Sequence, residues 1–337
     1  MTAGGRRVTI GSMIARLFKP LLPTLALLGL AVPAQAQEAL AQEDPDRYAF
    51  TQDYEPAPAI WRLADEDTTI YMLGTIHLLP EGFRWRNPQL DEIIDTADVL
   101  VVETSDADSM GMLDAMGPKF QNVTANRTPT SRQLSAQARP RWRELVAMSG
   151  MPFEVVDTMP LMVALLGFGQ TGMTGDPSSY DNGVETILEA EFRESGRPIE
   201  SIEDFGEVMY GLFRINDAAA VRELDAQLRS WGGKSYEGLY DAEVDDLTGD
   251  AYWQMEHDWA QGVVAEDFDL GFGQGAIGEA FSEVLLNRRN TAWAEWLDAR
   301  LDQPGTVLLA VGAGHFEGPD SVLVKLRAHG LEAERIN

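Results

Sequence analysis

The chain of 337 residues reads as an α/β (α+β) protein: a central mixed or parallel sheet built from both ends of the chain, with a large helical insertion between them. Three observations predict this. DVLVVET (98–104) and TVLLAVG (306–312) are continuous apolar runs of the kind found in strands buried on both faces. A helical pattern directly precedes the first of them and follows an earlier strand, the order of a parallel unit. From about 109 to 300 the spacing of apolar residues is mainly helical.

The elements follow in order. Residues 1–36 carry Arg6, Arg7, Arg16 and Lys19, then the apolar stretch LLPTLALLGLAVP, then the small residues AQA, which is the pattern of a secretory signal cleaved after Ala36. The expected location is periplasmic or secreted, and no later segment is apolar for long enough to span a membrane. Residues 37–57 are polar and proline-bearing and read as a flexible lead-in; a single domain is expected over 58–337. A hairpin is expected next, with strands at 59–63 and 69–74 around an acidic turn. Asn87 and Pro88 open a helix whose inward positions are Leu90, Ile93, Ile94 and Ala97. Within the insertion, RPRWRELVAMSG, PLMVALLGFG, GVETILEAEFRESG, EDFGEVMYGLFRI and AFSEVLLNRRNTAWAEWLDARL read as helices. In the third, Val184, Ile187, Leu188 and Phe192 form the stripe and Gly196 ends it. Residues 167–183 are glycine-rich and read as a mobile loop, and 197–204 as a short strand. A helix over 319–329 closed by Gly330 and a last strand, LEAERI, complete the chain.

Composition narrows the chemistry. With no cysteine, thiolate ligands, disulfides and a cysteine nucleophile are excluded, so a metal must be held by His, Asp or Glu, a set that suits zinc, manganese or similar divalent ions. The formal charge is −28, and removing four cations with residues 1–36 takes it to −32. Such a chain repels nucleic acid and anionic membrane surfaces. No P-loop, dinucleotide fingerprint or G-x-S-x-G elbow is present, and DAEVDDLTGD (241–250) lacks the glycine of a calcium loop.

The most informative pattern is an echo. LGTIH (73–77) and VGAGH (311–315) each carry an apolar strand into a glycine with a histidine three residues on, and only four histidines exist. Ligand sites of α/β sheets form outside the carboxyl ends of strands, and glycine lets the backbone turn there. If the two strands are neighbours, His77 and His315 converge at that edge, where Glu103 ends LVVE. Two imidazoles and a carboxylate form a metal-ligand set with room for water. Arg289 lies on the apolar face of its helix with Leu285, Trp293 and Trp296, where a guanidinium requires an anion: a structural carboxylate, a substrate carboxylate or developing oxyanion charge. Glu203 follows the short strand and reads as a general base, a further ligand or a solvated acid. Asp181 reads as the cap of the next helix, His257 as a helix-surface residue, and His329 as a complement to the terminal carbonyls of its helix.

IYMLGTIHLLPEGF, ADVLVVET, YDNGVETILEAEFRESGRPIESIED, LLNRRNTAWAEWL and LLAVGAGHFEGPDSVLVKLRAHG, in this order, resemble the TraB/GumN family, related to the TIKI metalloproteases. The resemblance runs from about 59 to 336. It implies a fold shared with erythromycin-esterase-like and ChaN-like proteins and a divalent-metal hydrolase site (Mn, Co or Zn) acting on a peptide or protein. It places His77, His315 and Glu103 at metal or catalytic positions, Glu203 after the central short strand, and Arg289 and Asn290 at an Arg-Asn pair that a glutamate usually precedes; here Arg288 stands there. A binder of metal or haem without turnover, or a regulatory or inhibitory protein, is the alternative that the same fold implies.

Overall fold

The computed structural model describes residues 45–108, 127–171, 177–215, 217–233, 236–240 and 247–337. The proposed signal segment, the first part of the lead-in and most of DAEVDDLTGD lie outside these residues.

Six strands form one sheet: β1 (Ile60–Ala64), β2 (Thr68–Thr75), β3 (Val99–Val102), β4 (Ile199–Ser201), β5 (Gly305–Gly312) and β6 (Glu334–Arg335), in the spatial order β4-β3-β5-β2-β1-β6. The β4-β3-β5-β2 half is parallel, and β1 pairs antiparallel with both β2 and β6. The hairpin, the early βαβ order and the late strands all stand where the apolar patterning places them. β5, from the end of the chain, sits at the centre between β3 and β2.

This central position explains the unbroken apolar runs. Along β3, Leu100 and Val102 enter one core while Val99 and Val101 enter the other; along β5, Leu308 and Ala310 alternate with Val307, Leu309 and Val311 in the same way. With both faces covered, no position is left for a polar side chain. Burying each such side chain contributes roughly 1.5–3 kcal/mol relative to exposure.

Twelve helices are described: α1 (Pro88–Thr96), α2 (Thr130–Gln133), α3 (Ala138–Met148), α4 (Phe153–Thr158), α5 (Leu161–Thr171), α6 (Val184–Glu194), α7 (Phe205–Phe213), α8 (Asp217–Ser230), α9 (Gln254–Ala260), α10 (Ala276–Ser282), α11 (Arg288–Leu301) and α12 (Val322–Ala328). One sheet face is covered by α1 and α6 through Leu90, Ile93, Ile94, Val184, Leu188 and Phe192, and that core continues into the helical insertion. The other is covered by α11 and α12 through Trp293, Ala294, Leu297, Val322 and Leu326. Local signals operate as expected at several ends. The Asn87 side chain accepts from the Leu90 amide at 2.9 Å to start α1, and Gly196, at φ 69°, ends α6 in a conformation that costs other residues energy.

Several expectations are corrected. The helix expected over 281–300 is α10, a π turn over Glu283–Asn287 and α11 in succession. The helix expected over 319–329 is only α12, with Ser321 before it and His329 as its cap. Residues 167–171 of the expected loop belong to α5, 172–176 lie outside the described residues, and Ser179 bridges to Leu79. Asp181 caps nothing: Ser179 accepts from the Asp181 amide at 3.1 Å, and α6 starts from Gly183 without a side-chain cap. His257 is buried, not on the surface. It accepts a place among Phe50, Tyr54 and Phe83, with its Nδ1 2.7 Å from the Tyr54 hydroxyl. Residues 50–54 are held there too: Thr51 bonds Asp250, and Gln52 and Arg84 exchange hydrogen bonds. Among the described residues no helix is long and apolar enough to cross a membrane.

Candidate functional site

The two histidine phrases lie side by side. In the parallel β2–β5 pair Gly74 stands opposite Val311 and Thr75 opposite Gly312, so the two strands end within one residue of each other. Both then turn out of the sheet at the same edge. Gly74 favours this close approach, because a Cβ on it would stand 3.0 Å from the Ala313 Cα and 3.3 Å from the Phe316 ring, tighter than ordinary contact. β3 ends two rungs earlier, with Val102 opposite Ala310, and this brings Glu103 in beside Gly312. β4 runs alongside β3, and the Glu203 amide bonds the Glu103 carbonyl at 3.3 Å.

The side chains converge accordingly. Oε1 of Glu103 lies 3.8 Å from His77 Nε2 and 3.7 Å from His315 Nε2, and accepts the Gly312 amide at 2.8 Å. His315 Nδ1 lies 2.6 Å from Asn290 Oδ1, whose own amide group donates to the Asp320 carbonyl. His77 Nδ1 lies 2.7 Å from Glu185 Oε1, on α6, and Thr75 donates its hydroxyl to the same oxygen. The imidazole of His315 rests on Trp293, ring centroids 4.2 Å apart. All of these are deep: His77 and His315 are 1% exposed and Glu103 is 4% exposed.

Arg289 sits below, between two carboxylates. Its Nη2 donates to Glu103 Oε2 at 2.5 Å and to Glu203 Oε1 at 2.8 Å, its Nε donates to Glu203 Oε2 at 2.8 Å, and its Nη1 donates to the Leu285 carbonyl. Trp293 donates its indole N–H to Glu203 as well. The guanidinium is thus engaged on every side by the protein, in the bidentate manner that its planar fork suits. The carboxylate partner is the structural one of the three anions its position called for.

Electrostatics divide the two acids. Burial pushes the Glu103 carboxyl up, but Arg289, both imidazoles and the Gly312 amide outweigh it and hold the group below the usual carboxylate range. For Glu203 burial prevails, helped by the Glu103 charge, and its pKa stands above that range despite Arg289 and Trp293. Burial and then the Arg289 charge hold His315 well below the ordinary histidine value.

His77, His315, Glu103, Arg289 and Glu203 therefore all meet at one place, as does Asn290. The sequence reading did not single out Glu185. Its signal was present: Glu185 and Glu189, spaced i, i+4, lie beside the apolar stripe of α6 and are 2% and 1% exposed. Gly183 makes that placement possible, since a Cβ there would lie 2.1 Å from the His77 carbonyl oxygen.

A divalent ion fits the donor chemistry. Two donors about 2.1 Å from one ion stand about 3.4 Å apart at the tetrahedral angle, and the observed 3.8 and 3.7 Å are within a few tenths of an ångström of this. This agreement covers only the two His–Glu103 distances: among the described residues no group of three or more His, Asp or Glu side chains is placed so that it could hold a metal ion as it stands. Comparison with curated proteins gives no match, and comparison with solved structures gives none either. The TraB/PrgY/gumN family model matches residues 59–335, from the first sheet strand to the last, and the chain belongs to that family.

Proposed function

We propose that the protein is a divalent-metal-dependent hydrolase of the periplasm or the exterior, cleaving peptide bonds. The observation that carries this is the approach of His77 Nε2 and His315 Nε2, from opposite ends of the chain, to a single carboxylate oxygen of Glu103. His77, His315 and Glu103 would hold the ion, with manganese, cobalt and zinc as the fitting metals. A divalent ion so bound supplies acidification of water and polarisation of a carbonyl.

The chain's own residues supply the rest. Asn290 and Glu185 sit against the Nδ1 atoms of the histidines, which orients both rings with Nε2 inward. A carboxylate of this centre, Glu103 or Glu203, would take a proton from the attacking water and pass it to the leaving amine. Glu203 and Arg289 act as a clamp: the guanidinium fixes Glu103 through Oε2, and Glu203 fixes the guanidinium.

Metal analysis of the purified protein, with cleavage of a peptide library by wild type and by His77→Ala, tests this reading. Metal bound by wild type and lost in the variant, together with cleavage lost in the variant, is expected; cleavage that survives the substitution unchanged sinks it. A second reading, ion binding without turnover, is favoured by one observation, the near-complete burial of the three side chains. Metal uptake dependent on both histidines, with no peptide cleaved, would select it.

A further inference from the structure

Tyr180 stands at the start of the turn Tyr180–Asn182 that leads into α6. Just before it, Ser179 and Leu79 form an isolated antiparallel bridge, with amide-to-carbonyl distances of 3.0 and 3.4 Å. Leu79 stands two residues after His77, so the bridge sets the start of this turn beside the segment that carries His77. The turn is tied to the same strand end twice more. The Asn182 side-chain amide donates to the Leu79 carbonyl at 3.3 Å, and the Val184 amide bonds the Ile76 carbonyl at 3.1 Å.

The phenol at this place has an unmet requirement. Its hydroxyl is closed to solvent and has no hydrogen-bond partner among the described residues. A buried donor left unsatisfied costs about 1–3 kcal/mol, and such groups call for an explanation. Burial first, and then the neighbouring charge of Glu185, hold the phenol well above its ordinary pKa. It remains a donor across the neutral range. Glu185 is also the carboxylate that touches His77.

We propose that the Tyr180 hydroxyl is a hydrogen-bond donor to the substrate's carbonyl oxygen at the His77–His315–Glu103 centre. This rests on the hydrolase reading and deepens it. As the water oxygen bonds to the carbonyl carbon, the π pair moves onto the carbonyl oxygen, and a donor about 2.7–3.1 Å away stabilises the charge that develops there. The phenol keeps its proton. When the carbon–nitrogen bond breaks, the pair returns to the carbonyl and the amine leaves with the proton taken from water. A hydroxyl without a partner among the described residues is prepared for this, because no bond seen there must be broken first.

Tyr180→Phe in the full chain tests the proposal in three ways. Its thermal midpoint should equal or exceed that of wild type, since only an unsatisfied group is removed; a fall of several degrees would show that the hydroxyl already has a partner, and overturns the proposal. Casein hydrolysis by the manganese-loaded protein should lose about 10²-fold in kcat with little change in KM; equal kcat overturns it. Acetohydroxamate, which presents a carbonyl oxygen, should bind the manganese-loaded variant at least about tenfold more weakly than wild type, roughly the worth of one such hydrogen bond. Should wild type cleave nothing, the hydrolase reading falls by itself. The hydroxamate comparison then decides the role of Tyr180: equal binding by both proteins, or none by wild type, overturns it.

Discussion

Arg289 is the residue whose loss should be most costly. Two carboxylates that are nearly closed to solvent depend on it. Breaking a buried ion pair by removing one partner costs about 3–5 kcal/mol, because the remaining charges stay buried without compensation. Urea unfolding of Arg289→Ala should show a loss of that order, and Arg289→Lys should recover little of it, since an ammonium cannot donate to Glu103 and Glu203 in a fork. The double change Arg289→Met with Glu203→Gln should be milder than Arg289→Ala alone. His257 gives a prediction of pH dependence. Burial holds its pKa below 6.5, against the pull of Asp250 and Asp258, so below 6.5 the unfolded chain takes up a proton that the folded protein does not. Stability from this residue is therefore present above pH 6.5 and falls as the pH drops below it. Urea unfolding between pH 7.5 and 5.5 should show a smaller decline for His257→Phe than for wild type.

At the scale of elements, α6 is the piece on which the site turns. It starts with its backbone against the His77 carbonyl, and a β-carbon at position 183 has no room there. Gly183→Ala should therefore push the His77 turn and α6 apart, costing about 1–3 kcal/mol and weakening manganese binding; calorimetric titration with the ion checks the second effect. The same element shows what could be read in the residues and what could not. The Val184–Leu188–Phe192 stripe announced a helix and its buried face. It did not announce that Glu185 would meet His77, because that contact depends on a β-strand more than a hundred residues earlier in the chain. Asp181 was misread as a cap for a related reason: a local capping rule named a suitable residue, while Asp181 falls inside a short turn capped by Ser179, and Gly183 stands at the cap position of α6. His257 was misread because its acidic neighbours suggested solvent, whereas Phe50 and Tyr54, distant in sequence, cover it. By contrast, β3 and β5 were legible in full, since burial on both faces leaves its mark within the strand itself.

At the scale of the molecule, the excess of acids is unbalanced: 54 acidic residues stand against 26 basic ones. Self-repulsion of such a surface opposes the compact state and is screened within about 10 Å at 0.1 M salt. Raising sodium chloride from 0.05 to 0.5 M should therefore raise the thermal midpoint by about a few degrees, the shift expected for about 1 kcal/mol in a domain of this size; an unchanged or lower midpoint would show that the acids are already locally neutralised. The pairing of β2 with β5 has a further meaning for the life of the molecule. The proposed centre joins His77 to His315, made more than two hundred residues later, and these become neighbours only when β5 pairs between β3 and β2. On the ribosome, a growing chain that has not reached His315 has two of the three proposed ligands, and before β5 is made it lacks the strand that stands between β3 and β2. The proposed chemistry thus waits until His315 has been made, and no fragment that stops short of it can carry it.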